Sequence, residues 1–157
     1  MDLVANDFYY LIDLDGVLTK PDPANQPPKD LDETDKEFWD FYYDRIMEEI
    51  PNFQMIDFIN KGLAIYNHPY KHMNIIIHTA RPERFRTRTI AWFKKHNVTY
   101  ESLVMRQDGD FSFDDDAKEK SLKSIIQVMN QKPIAVFEDR PELVKMYRKH
   151  GLLVLQV

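Results

Sequence analysis

Five short, mostly apolar runs lie along the chain, with longer stretches of helical periodicity between them. The runs span residues 8–12, 73–78, 100–105, 134–137 and 152–157. Apolar runs of this length are typical of strands that a parallel sheet buries on both faces. Because helices separate the strands, the pattern predicts a three-layer α/β domain with a central parallel sheet.

The stretches between these runs carry helix signals. The pattern predicts helices at about 34–50, 52–66, 82–96, 114–129 and 141–150. Thr34 and Glu37 have the spacing of a capping box, Pro51 ends the first helix, and Asn52 can cap the second. The predicted buried face of the second helix consists of Met55, Ile59, Leu63 and Tyr66.

The insertion between the first two strands, residues 20–70, is unusually acidic. Residues 20–35 contain four prolines and predict an extended loop. Residues 22–49 hold ten acidic side chains against three basic ones. Two interpretations stay open, a solvated helix face and a small helical cap over a site. The insertion also contains aromatic residues that either belong to the core or stack on a base, namely Phe38, Trp39, Phe41, Tyr42 and Tyr43.

Composition narrows the class of protein. A chain of 157 residues fits one domain, here residues 1–157, and needs no covalent staple. It has no cysteine, which excludes disulfides and thiolate sites. No signal-like N-terminus or membrane-length apolar run is present, so a cytoplasmic protein without membrane contact is expected. A net charge of −5 argues against a general nucleic-acid coat but not against a small anionic substrate.

The first strand ends in two carboxylates, Asp13 and Asp15, followed by Gly16. Residues two apart on an extended strand point the same way, and glycine permits a sharp turn directly after them. Adjacent like charges are unfavourable unless a cation shares them, and Mg²⁺ binds through one or two carboxylates plus phosphate oxygens. The pair therefore predicts metal-assisted phosphoryl transfer.

The second strand ends in Thr79, Arg81 and Pro82. A hydroxyl, backbone N–H groups and a helix N-terminus at such a strand end form a phosphate-binding corner, and an arginine there is a natural phosphate ligand. A simple helix cap is the alternative for Thr79. The following helix is basic, which indicates either a solvated face or a flank that steers a nucleotide.

Two further motifs lie near later helix starts. Lys118 falls on the inward face of its helix, where a lysine needs anionic partners; Lys120 is the alternative. Glu138 and Asp139 follow the fourth strand, and Pro141 then begins a helix.

The stretch from Asp13 to Thr19, with Thr79, Lys118 and the pair Glu138–Asp139, resembles the four motifs of the haloacid-dehalogenase-like (HAD) phosphohydrolase superfamily. The resemblance implies a Rossmann-like fold and makes Asp13 the nucleophile and Asp15 the general acid and base. It also implies that Thr79 and Lys118 hold phosphate. Mg²⁺ would be held by Asp13, the carbonyl of Asp15 and Asp139, with Glu138 acting through water or from the second coordination sphere.

Within the superfamily, the segments 79–83, 105–106, 109–110, 114–118 and 139–141 resemble the phosphatase domain of polynucleotide kinase-phosphatases and their stand-alone phage and bacterial relatives. That resemblance implies a phosphate contact for Arg81 and an orienting role toward Lys118 for Asp114. It also places Gly16 and Arg106 among the substrate-binding residues.

The implied substrate is a phosphorylated nucleotide or nucleic-acid end, with the 3′-phosphate as the group removed. No phosphate-loop motif is present, so the sequence predicts no kinase half and no ATP requirement. A nucleoside 5′-monophosphate phosphatase is the alternative, and a non-catalytic nucleotide-binding protein is a further one. The oligomeric state is not predicted.

Overall fold

The computed structural model describes residues 8–20, 22, 37, 41, 44–63 and 73–157. A five-stranded parallel sheet forms its centre, and its strands are β1 (Phe8–Ile12), β4 (Met73–Pro82), β5 (Ser102–Arg106), β6 (Ala135–Glu138) and β7 (Val154–Gln156). Their order across the sheet is β5-β4-β1-β6-β7. A two-stranded antiparallel ribbon of β2 (Thr19–Lys20) and β3 (Ile50–Pro51) lies beside the sheet. The predicted α/β fold is therefore confirmed.

Helices cover both faces of the sheet. One core contains residues of α1 (Phe53–Asp57) and α2 (Arg86–Lys95), and the other contains residues of α3 (Asp114–Met129) and α4 (Pro141–Lys149). Strand β1 contributes side chains to both cores, because Ile12 packs in the core with α1 and α2 and Leu11 packs in the core with α3 and α4. This alternation on a strand without charged residues explains why its sequence reads as continuously apolar.

The insertion follows the prediction only in part. Positions 37, 41, 44 and 45 are helical, but the helix does not reach residue 50, since a short 3₁₀ turn (Ile46–Glu48) and β3 follow. Pro51 forces the residue before it into an extended conformation. Helix α1 continues as a π-helical segment, Phe58–Leu63. Thr34, Tyr66 and most of the predicted cap lie outside the described residues.

The second predicted strand is longer than expected. β4 runs through Thr79 and Arg81 to Pro82, which pairs with Arg106 of β5. A 3₁₀ turn, Glu83–Phe85, precedes α2, so Pro82 does not begin the helix as predicted. Among the described residues, no helix is long and apolar enough to cross a membrane.

Candidate functional site

The ends of β1 and β6 place two carboxylates around one lysine. Lys118 Nζ lies 2.5 Å from Asp13 Oδ1 and 2.9 Å from Glu138 Oε2, and the lysine side chain is only 2% exposed. Burial opposes its positive charge, but Asp13 and Glu138 outweigh that effect and keep the pKa of Lys118 above its usual value. The inward-facing lysine of the prediction is thus found, whereas Lys120 is exposed.

Asp13 sits in an environment that disfavours its ionised form. Burial, followed by the nearby charges of Glu138 and Asp15, raises the pKa of Asp13 to about 7, although Lys118 opposes this shift. Burial likewise raises the pKa of Glu138 and of Asp139. A carboxylate cluster with raised pKa values is one that a cation would stabilise.

Three carboxylates form a compact set of possible metal ligands. Asp13, Glu138 and Asp139 each offer an oxygen, and these oxygens lie within 4.8 Å of one another. Asp139 Oδ1 is buried without a hydrogen-bond partner, whereas Glu138 accepts Lys118 on Oε2 and two backbone N–H groups on Oε1. The oxygen left for a cation is therefore on Asp139, and the donors fit a hard divalent ion such as Mg²⁺.

Gly16 leaves room for Asp139. Its φ is +90°, and a Cβ built there would lie 2.1 Å from Asp139 Oδ2. Any side chain at this position would displace the carboxylate whose oxygen is available to a cation.

Asp15 is held by a different cation. Arg81 donates from Nε to Asp15 Oδ2 at 3.0 Å and from Nη2 to Asp15 Oδ1. The same Nη2 lies 2.6 Å from both carboxylate oxygens of Glu49. Burial opposes the charge of Arg81, but the two carboxylates outweigh it and keep its pKa above the usual value. The arginine predicted to bind phosphate is thus engaged by two side chains.

Glu49 is the site residue that sequence reasoning missed. It lies 32 residues from Arg81 in sequence, within the acidic run 22–49 for which a solvated face and a cap both stayed open. Burial, opposed by Arg81, raises its pKa to about 7. The available signal was Pro51, which favours an extended conformation for Ile50 and so ends the helical segment near Glu49, the residue that caps the 3₁₀ turn.

Thr79 lies at the same edge of the sheet. Its hydroxyl is 3.5 Å from Asp15 Oδ2 and accepts the backbone N–H of Arg81 at 3.2 Å. The side chain is buried, so the hydroxyl is fixed beside the carboxylate rather than free to rotate into solvent.

Asp114 has partners other than the one predicted. It accepts hydrogen bonds from Arg106 on Oδ1 and from Arg140 on Oδ2. Among the described contacts none joins Asp114 directly to Lys118, so its orienting role toward that lysine stays a prediction. Residues four apart on a helix are neighbours, but the two facing arginines attract Asp114 more directly.

Three arginines of the 3₁₀ turn and of α2 lie near acidic side chains. Arg84 lies near Asp108, Arg86 pairs with Glu83, and Arg88 lies near Asp44. These local pairs favour the solvated-face interpretation over a continuous charged path for a polynucleotide.

Comparisons with known proteins agree with this geometry. A family model described as the polynucleotide kinase PNKP phosphatase domain matches residues 8–157. Two solved chains, from a Pnkp1/Rnl/Hen1 RNA repair complex and a Pnkp1/Rnl/Hen1 complex, have TM-scores of 0.70 at 19% and 20% identity. They cover 100% and 99% of this chain, which spans only 44% and 48% of their length.

A further solved structure is a haloacid dehalogenase-like hydrolase from Streptococcus pneumoniae. It has a TM-score of 0.60 at 14% identity, and the match covers 96% of this chain and 84% of that one. A comparison with curated protein sequences gives no match.

Proposed function

Because the chain belongs to the family of polynucleotide kinase phosphatase domains, within the HAD superfamily, we propose that it removes the 3′-phosphate from a nucleic-acid end or a nucleotide. The family identifies the chain as a phosphatase, a phosphoric monoester hydrolase. The observation that best supports the proposed mechanism is the contact of Lys118 with both Asp13 and Glu138. This contact brings together residues of the first, third and fourth motifs.

The proposed reaction has two steps. An oxygen of Asp13 attacks phosphorus, the bond to the leaving oxygen breaks, and Asp15 gives that oxygen its proton. Water then attacks the aspartyl-phosphate while Asp15 takes its proton, which releases phosphate and restores Asp13. Lys118, Thr79 and Arg81 stabilise the charge on the transferring phosphoryl group.

Arg81 has to change partners for this role. It holds both carboxylate oxygens of Asp15, whereas a general acid needs one oxygen to carry a proton. An incoming phosphate is a competing ligand for the guanidinium, and its binding would release an oxygen of Asp15. Glu49 keeps Arg81 in the site throughout this exchange.

Mg²⁺ is the proposed cofactor, held by Asp13, the carbonyl of Asp15 and Asp139, with Glu138 in the second coordination sphere. When bound, it supplies positive charge that lets a phosphate approach a site containing five carboxylates and two cations. The buried, unpartnered Oδ1 of Asp139 and the occupied oxygens of Glu138 support this assignment.

The test compares matched oligonucleotides that carry either a 3′- or a 5′-phosphate. We expect faster phosphate release from the 3′ end with Mg²⁺, loss of activity in excess chelator, and no turnover by Asp13→Asn. Substantial turnover by that variant would exclude Asp13 as the nucleophile. Full activity in chelator would exclude the metal.

A nucleoside 5′-monophosphate phosphatase is the second candidate. The paired arginines of α2 and the carboxylate of Glu49 in the site favour a small substrate over a long polyanion. This candidate would be supported if 5′-mononucleotides were cleaved fastest and oligonucleotide ends were not cleaved. The ratio of the two rates would then not change with ionic strength.

A further inference from the structure

The loop between β5 and α3 presents two aromatic side chains to solvent. Phe111 is 63% exposed and Phe113 is 79% exposed. By contrast, the rings of Phe85 and Phe93 are buried in the core. Residues 111–113, here called the aromatic loop, therefore form a small apolar surface that contributes little to the packing of the fold.

The segment that carries these rings is fixed by polar contacts. Asp110 donates its N–H to the carbonyl of Gln107 at 3.1 Å, and Asp110 Oδ1 accepts the N–H of Ser112 at 3.0 Å. The ion pair between Arg106 and Asp114 closes the loop at its two ends. A ligand that contacts the rings thus orders few additional groups, which favours affinity.

The aromatic loop lies at the edge of the sheet that holds the site. Phe113 precedes Asp114, whose other partner, Arg140, follows the proposed metal ligand Asp139. One helical turn beyond the loop, Lys118 reaches Asp13. The aromatic loop is therefore joined to the phosphate-binding groups through Asp114 and the first turn of α3.

We propose that Phe111 and Phe113 stack on the nucleobase of the nucleotide whose phosphate the site removes. This inference rests on the proposed function. Every base has an apolar face, and a neutral contact suits a site in which five carboxylates repel additional backbone phosphates. Stacking on an aromatic side chain favours binding by about 5- to 150-fold per base, without base-specific hydrogen bonds.

The experiment compares kcat/KM for a nucleoside 3′-phosphate with that for the abasic deoxyribose 3-phosphate. The wild type should prefer the substrate with a base by about tenfold or more. The double variant Phe111→Leu/Phe113→Leu should reduce the preference to within about twofold of unity, and Phe111→Tyr/Phe113→Tyr should retain it, because tyrosine also presents an aromatic face.

Phe53→Leu is the matched control. Phe53 is 64% exposed, but its ring lies 6.3 Å from that of His96, at the C-terminal end of α2 and away from the site. Its substitution should not change the preference. A complementary binding measurement uses an oligonucleotide with a 3′-terminal 2-aminopurine and the Asp13→Asn protein, where stacking should quench fluorescence and the leucine pair should abolish the quenching.

Three results would overturn the inference. They are a preference that survives in the leucine pair, an equal loss in Phe53→Leu, and a wild type that cleaves both substrates equally well. If the aromatic loop instead contacts a protein or a lipid, the preference would survive in the leucine pair, or the wild type would cleave both substrates equally well. If neither the nucleoside 3′-phosphate nor the abasic substrate were cleaved while other phosphomonoesters were, the proposed function itself would be wrong, and the inference with it.

Discussion

Asp13 and Asp15 are separated by a single residue, yet different cations hold them. Asp13 is buried against Lys118, whereas Asp15 has a side chain that is 48% exposed and contacts Arg81. A buried carboxylate fixed by one lysine suits in-line attack, and a carboxylate that reaches solvent suits proton exchange with a leaving group and with water. The neighbours thus give two identical side chains separate roles.

Glu49→Gln should lower kcat because the neutral amide no longer balances the charge of Arg81, which then binds Asp15 more tightly. A hydrogen bond between charged groups contributes about 1.5–3 kcal/mol, so the expected loss is about 10- to 100-fold. Steady-state kinetics with saturating substrate would measure it.

Glu48→Gln is the control for that variant, since it removes the same charge from the neighbouring exposed residue. Equal kcat values for the two variants would show that Glu49 does not act through Arg81.

Lys118→Met should abolish measurable activity and destabilise the protein. Removal of the lysine leaves Asp13 and Glu138 buried without their cation, and breaking a buried ion pair in this way costs about 3–5 kcal/mol. Lys120→Met changes an exposed residue of the same helix and should affect neither property. Loss of activity in Lys120→Met, with Lys118→Met active, would instead favour the alternative lysine.

At the scale of elements, the sequence predicted the sheet well and the insertion poorly. Apolar runs place all five central strands within a few residues, because burial on both faces leaves a strong local signal. The ribbon of β2 and β3 has only two residues per strand, and it forms through pairs that are 32 and 30 residues apart, Thr19 with Pro51 and Lys20 with Ile50. Such pairings leave no periodic pattern in the sequence.

The same distinction applies to the site. Motif residues towards the carboxyl ends of strands, such as Asp13 and Thr79, were predicted because parallel strands bring those ends to one edge of the sheet. The partners of Arg81 and Asp114 were not, because arginine pairing depends on which side chains face each other after folding. Local sequence shows the charge but not its partner.

His78 joins β4 to α3 and α4. Its Nδ1 lies 2.8 Å from the hydroxyl of Tyr147, and its Nε2 lies 2.7 Å from Ser121 Oγ. Burial, together with the charge of Lys118, holds the pKa of His78 well below its usual value. The imidazole therefore stays neutral in the folded protein while it protonates in the unfolded chain.

His78→Gln should be less stable than the wild type above about pH 6.5, the ordinary histidine pKa, and this difference should shrink as the pH falls. Below that pH the unfolded wild-type chain binds a proton that the folded protein does not. The free energy of unfolding therefore falls by up to about 1.4 kcal/mol per pH unit from this group. Urea unfolding of both proteins from pH 8 to pH 5 would measure it. A constant difference across that range would exclude a buried neutral His78.

At the scale of the whole molecule, the strand order brings the ends of β4, β1 and β6 together, so residues far apart in sequence share one proposed metal site. Bound Mg²⁺ should therefore stabilise the entire fold, raising Tm with concentration. Asp139→Asn should weaken this response, and Asp116→Asn, an exposed acid in the first turn of α3, should not. The measurement is thermal unfolding without substrate, and an equal response in both variants would contradict the assignment of Asp139.

The buried carboxylates around Lys118 also imply a compromise between stability and activity. Because burial raises the pKa of Asp13 to about 7, the folded protein retains a proton that the unfolded chain has already lost, and the metal-free fold loses stability as pH rises from about 4 to 7. Asp13→Asn removes that charge, so it should unfold at a higher temperature than the wild type at pH 8 in chelator, although it should have no turnover. A lower Tm for the variant would show that the ionised nucleophile stabilises the fold. On this view the protein keeps at its centre a residue that favours turnover at the expense of its own folding.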